Sequence, residues 1–259
     1  MKTSAKLIKY FLRQSTSVQL LLQKPSLDFS AEDFHMLRVH IKKLKAIFSL
    51  TDACVKNLKK DKLFKPFQTV FRQAGKVREL QLQISLLKKY KQDPVLAGYY
   101  KKIESDIQKE RADFFKLADD KFKRGLKKKT KQSLPYLGKV NSGEVRKFLL
   151  EKRNHIEELM KSGKPEVDQV HELRIRFKEL YYLQKIFQPK TKRLSIADDF
   201  QEIVGQWHDY YVISNDLLKD AQNHKLLPIE VKAIMTLQKK IATHADRLFH
   251  KIEFAKAIV

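Results

Sequence analysis

Apolar residues recur along this chain at intervals of three and four, and no segment alternates at the two-residue period of a strand bounded by turns. The pattern predicts an all-α protein. A first helix is expected over residues 4–23, halted near Pro25. The second starts from Ser30, where Ser30-Ala31-Glu32-Asp33 is close to a capping box, and runs to about residue 59. A third is expected over 64–90. The fourth opens at Asp93-Pro94, a cap followed by proline at the first helical position, and continues to about residue 124.

The rhythm then breaks. Residues 123–131 (KRGLKKKTK) carry six basic side chains and no acid, and Pro135, Gly138, Asn141 and Ser142 follow. This reads as a basic linker over 126–142, solvated and at most a weak source of electrostatic steering. Helices are expected again at 143–160, 166–187, 194–221 and 228–257. The organisation is four helices over 1–125, a linker, and four helices over 143–259.

The two halves share more than a helix count. FHMLRVHIKKLKAIF, residues 34–48, aligns with VHELRIRFKELYYLQKIF, residues 170–187. His35, Arg38 and Lys42 correspond to His171, Arg174 and Lys178, each 136 positions later (171 − 35 = 136). The apolar frame follows: Leu37, Ile41 and Leu44 become Leu173, Phe177 and Leu180. A second pairing sets FRQAGKVRELQLQI from Phe71 against FQEIVGQWHDYYVI from Phe200, aligning Gly75 with Gly205, Arg78 with His208 and Glu79 with Asp209. The chain reads as an internal duplication: two four-helix bundles related by an approximate two-fold.

Composition sharpens this picture. Lys and Arg number 54 against 30 Asp and Glu, a formal net charge of +24 with a sequence pI near 9.9. Such an excess opposes compaction and points to a polyanionic partner, whether nucleic acid, an anionic membrane or a phosphate polymer. Cys54 is the single cysteine, which excludes an intramolecular disulfide and a cysteine-rich zinc site. The N-terminal stretch is broken by Lys6, Lys9 and Arg13, unlike a signal peptide; it reads as a first helix, with a transit peptide as the alternative. No apolar run reaches the roughly 18 residues of a membrane span. A cytoplasmic protein is expected.

On a helix, His35, Arg38, Lys42 and Lys45 fall within an arc about 80° wide, beside the apolar arc of Phe34, Leu37, Ile41, Leu44 and Phe48 that faces the core. These cations flank the core, so they need counter-charge. Arginine offers a planar fork, lysine a mobile point charge and histidine a donor favoured beside anions. A linear phosphate chain suits such a row.

At these residues the chain resembles the CHAD (conserved histidine α-helical domain) family. The family hallmark resembles His-x-x-Arg-Val-x-x-x-Lys-x-Leu-Arg, once per half; here it appears, one residue shorter, as HMLRVHIKKLK and as HELRIRFKELY. A later element, Leu-Gly-x-x-Arg/His-Asp, is similar to AGKVRE at 74–79 and VGQWHD at 204–209. The resemblance covers essentially the whole chain. It implies two four-helix bundles about a pseudo-two-fold, a basic cavity or surface between them, binding of inorganic polyphosphate, and association with polyphosphate granules. The residues it assigns to polyphosphate are His35, Arg38, Lys42, Lys45 and Arg78 with His171, Arg174, Lys178 and His208. The chain departs from the pattern at Tyr181 and Lys45, where arginine is expected, and at Glu79, where aspartate is expected.

Plainer roles compete for several of these. His35 and His171 also suit structural histidines at the core's edge. A metal site is disfavoured, because no acid or second histidine sits at i+3 or i+4 on the stripe, and His40 lies off it. Lys43 and Arg176 belong to adjoining arcs. Glu79 and Asp209 suit orienting an arginine or capping local structure better than acid–base chemistry, and Trp207, Tyr210 and Tyr211 suit packing better than base stacking. No phosphate-cradling glycine loop, nucleophile elbow or Mg²⁺ carboxylate cluster is present, so a non-enzymatic protein without cofactor is expected. General nucleic-acid binding is the alternative, although the stripe lacks interleaved aromatics. A histidine-phosphotransfer bundle leaves the matched arginines and lysines unexplained.

Overall fold

The structure is a computed structural model that describes residues 2–90, 93–161, 167–187, 193–222 and 226–252. No strand occurs among the described residues. The helices are α1 (Thr3–Gln23), α2 (Ala31–Cys54), α3 (Lys60–Leu87), α4 (Ala97–Leu117), α5 (Asp120–Leu137), α6 (Ser142–Lys161), α7 (Val167–Phe187), α8 (Arg193–Ala221) and α9 (Pro228–Lys251), with a 3₁₀ turn at Pro94–Leu96 before α4.

Local chemistry sets the ends. Ser30 caps α2: its hydroxyl accepts from the Asp33 N–H at 3.1 Å, and the Asp33 carboxylate accepts from the Ser30 N–H at 2.8 Å. The reciprocal capping box expected from Ser30-Ala31-Glu32-Asp33 is therefore complete, and Lys24 adds a 2.7 Å ion pair to Asp33. α2 stops at Cys54, earlier than the period predicts, and Asn57 takes a left-handed φ of 64° in the following turn. The expected cap at Asp93 forms, its side chain accepting from the Val95 N–H at 3.0 Å.

The largest departure concerns the expected basic linker. Residues 120–137 are helical: α5 begins where Asp119 accepts from the Phe122 N–H at 2.6 Å, splitting the long fourth helix expected to residue 124. α5 packs on α1 and α3 through Leu126, Thr130, Ser133 and Leu137, a spacing of four, three and four that forms one narrow edge. Lysine and arginine are good helix formers, so once that edge is buried the surrounding cations do not prevent the helix. Only residues near Gly138 and Asn141 remain as a connection. The expectation for 228–257 extends into residues outside the described ones.

Among the described residues two buried clusters hold the fold, and neither is confined to one half of the sequence. The larger joins Leu7, Phe11, Phe34, Leu37, Ile41 and Phe67 to Val170, Leu173, Leu183, Val204 and Trp207. Within it the Phe29, Phe34 and Phe114 rings meet at 4.6–5.5 Å. The smaller joins the C-terminal part of α3 (Ile84, Leu87), the 3₁₀ turn (Leu96) and the start of α4 (Tyr99, Ile103) to α8 and α9 (Ile213, Leu217, Ile234, Leu237, Ile241). α2 lies against α7 and α3 meets α8, so the helices that carry the two similar sequence motifs face each other.

Candidate functional site

The apolar arc predicted for α2 is wholly buried, with Phe34, Leu37 and Leu44 at 0% exposure, and its α7 counterpart Leu173, Phe177 and Leu180 is buried too. Seating those faces in the core turns the adjoining cations toward the α2–α7 contact. Arg38, Lys42, Arg174 and Lys178 are each half-buried. Among the described residues no carboxylate forms an ion pair with any of the four.

The electrostatics show the two stripes acting on one another. Burial, then the charges of Lys178, Arg174 and Arg38, push Lys42 down to about 7, against partial relief from Asp209. Burial and Arg174 push Lys178 down to about 8, again relieved by Asp209. Arg38 lies below its ordinary value through burial, with Glu79 opposing and Arg78 and Arg174 adding. Arg174 is lowered by burial against the pull of Asp209. His35 is exposed on the accessible surface, yet burial of its ring and then Arg78 hold it below the usual imidazole range, with Lys42 and Lys178 adding.

Arg38 has the most defined seat. Its Nη1 donates to the Phe71 carbonyl at 3.0 Å, and the guanidinium lies 4.2 Å from the Phe71 ring centroid. That position occupies the space a Cβ on Gly75 would fill, and a Glu79 carboxylate oxygen lies 3.6 Å from the same point. The glycine at this point of α3 therefore serves close approach of a side chain. Gly205 has no such neighbour, so the two halves differ here.

In the second half, His171 and His208 stack at 5.0 Å between ring centroids and share a 3.1 Å hydrogen bond between His208 Nε2 and His171 Nδ1. Which ring donates and which accepts follows from the tautomers the pair adopts. His208 is lowered by burial, with Asp209 opposing. The Nε groups of Arg78 and Arg174 are buried without a partner among the described residues.

Eight of the nine predicted site residues thus gather at one place. The exception is Lys45, exposed on α2 beyond the cluster. Glu79 and Asp209 do face arginines, as expected. Lys43 faces Arg13 and Lys185 on an adjoining arc, and Arg176 is held by Glu172 at 2.6 Å. His40 is structural: its Nδ1 bonds Gln14 Oε1 at 2.7 Å, and burial takes it to about 4. Trp207 is buried against Tyr211 and Phe249. The sequence reading missed the Phe71 platform and Tyr182, which lies close enough to Arg174 for each to affect the other's proton affinity. Neither leaves a polar signal: a backbone carbonyl is invisible in sequence, and Tyr182 sits in an apolar helix face.

No group of three or more His, Cys, Asp or Glu that could hold a metal occurs among the described residues, and no described helix is long and apolar enough to cross a membrane.

An all-helical scaffold presenting a shared cation cluster is the class that fold and site define, and comparison with solved structures agrees on the fold. The crystal structure of the CHAD domain from the plant Ricinus communis matches with a TM-score of 0.77 at 14% identity, covering 99% of this chain and 90% of that one. PptA from Streptomyces chartreusis matches with a TM-score of 0.69 at 11% identity, covering 97% and 99%. The CHAD domain family model matches residues 17–217, and the chain belongs to that family. No curated protein matches it in sequence.

Proposed function

We propose that this protein is a non-enzymatic module that binds inorganic polyphosphate in the cluster formed by α2, α3, α7 and α8, and that it associates with polyphosphate granules. The observation that carries this reading is the mutual proximity of Arg38, Lys42, Arg174 and Lys178 without an ion-paired carboxylate among the described residues. Holding four cations together at the edge of a core is unfavourable. A chain of closely spaced phosphates supplies the missing counter-charge along its length, and arginine and lysine both suit phosphate oxygens. His35, Arg78, His171 and His208 border the same cluster and add donors, with Lys45 reaching the ligand from outside.

Underlying this is a division into two four-helix units, α1–α4 and α6–α9, related by an approximate two-fold, with α5 outside the repeat. Supporting it are the 136-residue offset of the motif and the facing of α2 by α7 and of α3 by α8. The site then takes one face from each copy. The expected location is the cytoplasm, at granules when polyphosphate accumulates.

The alternative is a general polyanion binder that takes nucleic acid equally well, which the +24 charge favours. A competition titration at near-physiological salt separates the two. Labelled long-chain polyphosphate is challenged with single-stranded RNA, duplex DNA and short phosphates at matched phosphate concentration. Preference for polyphosphate by about tenfold or more, some 1.4 kcal/mol, supports the specific reading. Equal competition by nucleic acid refutes it.

A further inference from the structure

The stretch that the sequence presents as a linker has a face of its own. Between Lys121 and Lys139, α5 and its C-terminal turn carry eight basic residues and no acid. Only one edge is used in packing; Lys121, Arg124, Lys127, Lys128, Lys131 and Lys139 are exposed. On the α3 side the helix borders a groove of about 880 Å³, lined by Lys59, Lys62, Lys128, Lys129 and Lys139 around Leu63, Pro135 and Tyr136. None of its lining residues is acidic.

Three features give this groove a meaning beyond a solvated surface. First, five like charges around one concavity focus a positive potential into it and raise the local concentration of an anion there. Second, α5 has no counterpart among the described residues of the second half, so its charge is not a by-product of the duplication. Third, the groove is distant from the α2–α7 cluster. Lys62 and Arg78 sit on the same helix sixteen residues apart, about 24 Å along its axis. That exceeds the Debye length of about 8 Å at physiological ionic strength, so the two basic regions act as separate binding elements.

We propose that the α3–α5 groove is a second polyphosphate-binding site, engaged by a distant segment of the same chain held in the α2–α7 cluster. This rests on the polyphosphate reading above. Two anchors on one protein convert the second contact into an intramolecular event, so long chains gain affinity that short ones cannot. A nucleic acid is the poorer occupant: among the described residues Tyr136 is the only aromatic lining the groove, and Lys139 lies 6.0 Å from its ring centroid, leaving little face for stacked bases.

The test replaces Lys59, Lys62, Lys128 and Lys139 together by glutamine. The control replaces Lys101, Lys102, Lys109 and Lys116, four exposed lysines of α4, in the same way and so removes the same net charge. Circular dichroism and thermal unfolding establish that both remain folded. Titrations with a short phosphate chain, a long one, and single-stranded RNA follow. The groove variant is expected to lose at least about tenfold in affinity for the long chain relative to the control while matching it for the short chain. Equal long-chain affinity in groove variant and control overturns the proposal. So does a loss confined to RNA, which would make the groove a nucleic-acid surface. Failure of the unaltered protein to bind either phosphate chain overturns the underlying reading, and this proposal with it. That result is distinguishable because it appears before any substitution is made.

Discussion

The depressed lysines make a quantitative demand on ligand binding. Lys42, at about 7, is faced by Arg38 on its own helix, by Arg174 and Lys178 of α7 and by Asp209 of α8; Lys178, at about 8, is faced by Arg174 and Asp209. A polyanion that neutralises this cluster restores both to the charged form, so binding takes up protons. At pH 8 the free protein lacks about 0.9 proton at Lys42 and 0.5 at Lys178, giving an uptake of about 1.4; at pH 6 these two contribute about 0.1. Integrating between those limits, affinity is expected to fall about twentyfold from pH 6 to pH 8. His35 and His208, both held below their ordinary range, add to the trend in the same direction on its acid side. Isothermal titration with polyphosphate in buffers of contrasting ionisation enthalpy counts the protons directly. The double variant Lys42→Arg, Lys178→Arg keeps the charge but cannot release it, so its uptake at pH 8 should nearly vanish. Stability of the free protein runs the other way. Both lysines have folded values below their unfolded ones, so the folded state binds fewer protons between about pH 7 and 10 and unfolding becomes harder as pH rises through that window. Heats independent of buffer at pH 8 in the unaltered protein would refute the whole chain of reasoning, because they require the two lysines to be charged before the ligand arrives.

Gly75→Ala puts a Cβ where the Arg38 guanidinium lies. In mid-helix the change favours α3 by about 0.5–1 kcal/mol, so a preserved or raised melting temperature with weakened polyphosphate binding is expected, and unchanged affinity would show that Arg38's seat is unimportant. Arg38→Ala with Arg174→Ala should weaken polyphosphate binding at least tenfold with helicity by circular dichroism retained; survival of the affinity would remove the cluster from consideration. His40→Leu leaves Gln14 Oε1 without its 2.7 Å partner in a buried setting. It should cost about 1–3 kcal/mol in denaturant unfolding and leave polyphosphate affinity unchanged, because His40 lies off the cluster.

Much of this protein is written locally. The helical period of the apolar residues, the Ser30 and Asp93 caps, the cation stripe beside the apolar arc and its repetition 136 residues later are all properties of short segments, and each appears in the structure close to where the sequence places it. α5 is the exception that explains the rule. Its lysine run and its glycine and proline carry no helical signal strong enough to outweigh a linker, and only the burial of Leu126, Thr130, Ser133 and Leu137 on α1 and α3 settles the matter. The site shows the same division. Spacing alone ranks Lys42 and Lys45 as equals on one stripe, yet Lys42 is half-buried and driven to about 7 while Lys45 stands in solvent. That difference comes from α7, which brings Arg174 and Lys178 against α2 across more than a hundred residues of chain. Likewise Gly75 is an unremarkable helix position until Arg38 folds across it onto the Phe71 carbonyl. Periodicity fixes which side chains share an edge of a helix. What shares that space from another helix, and therefore how much charge is crowded and desolvated there, is set by non-local packing.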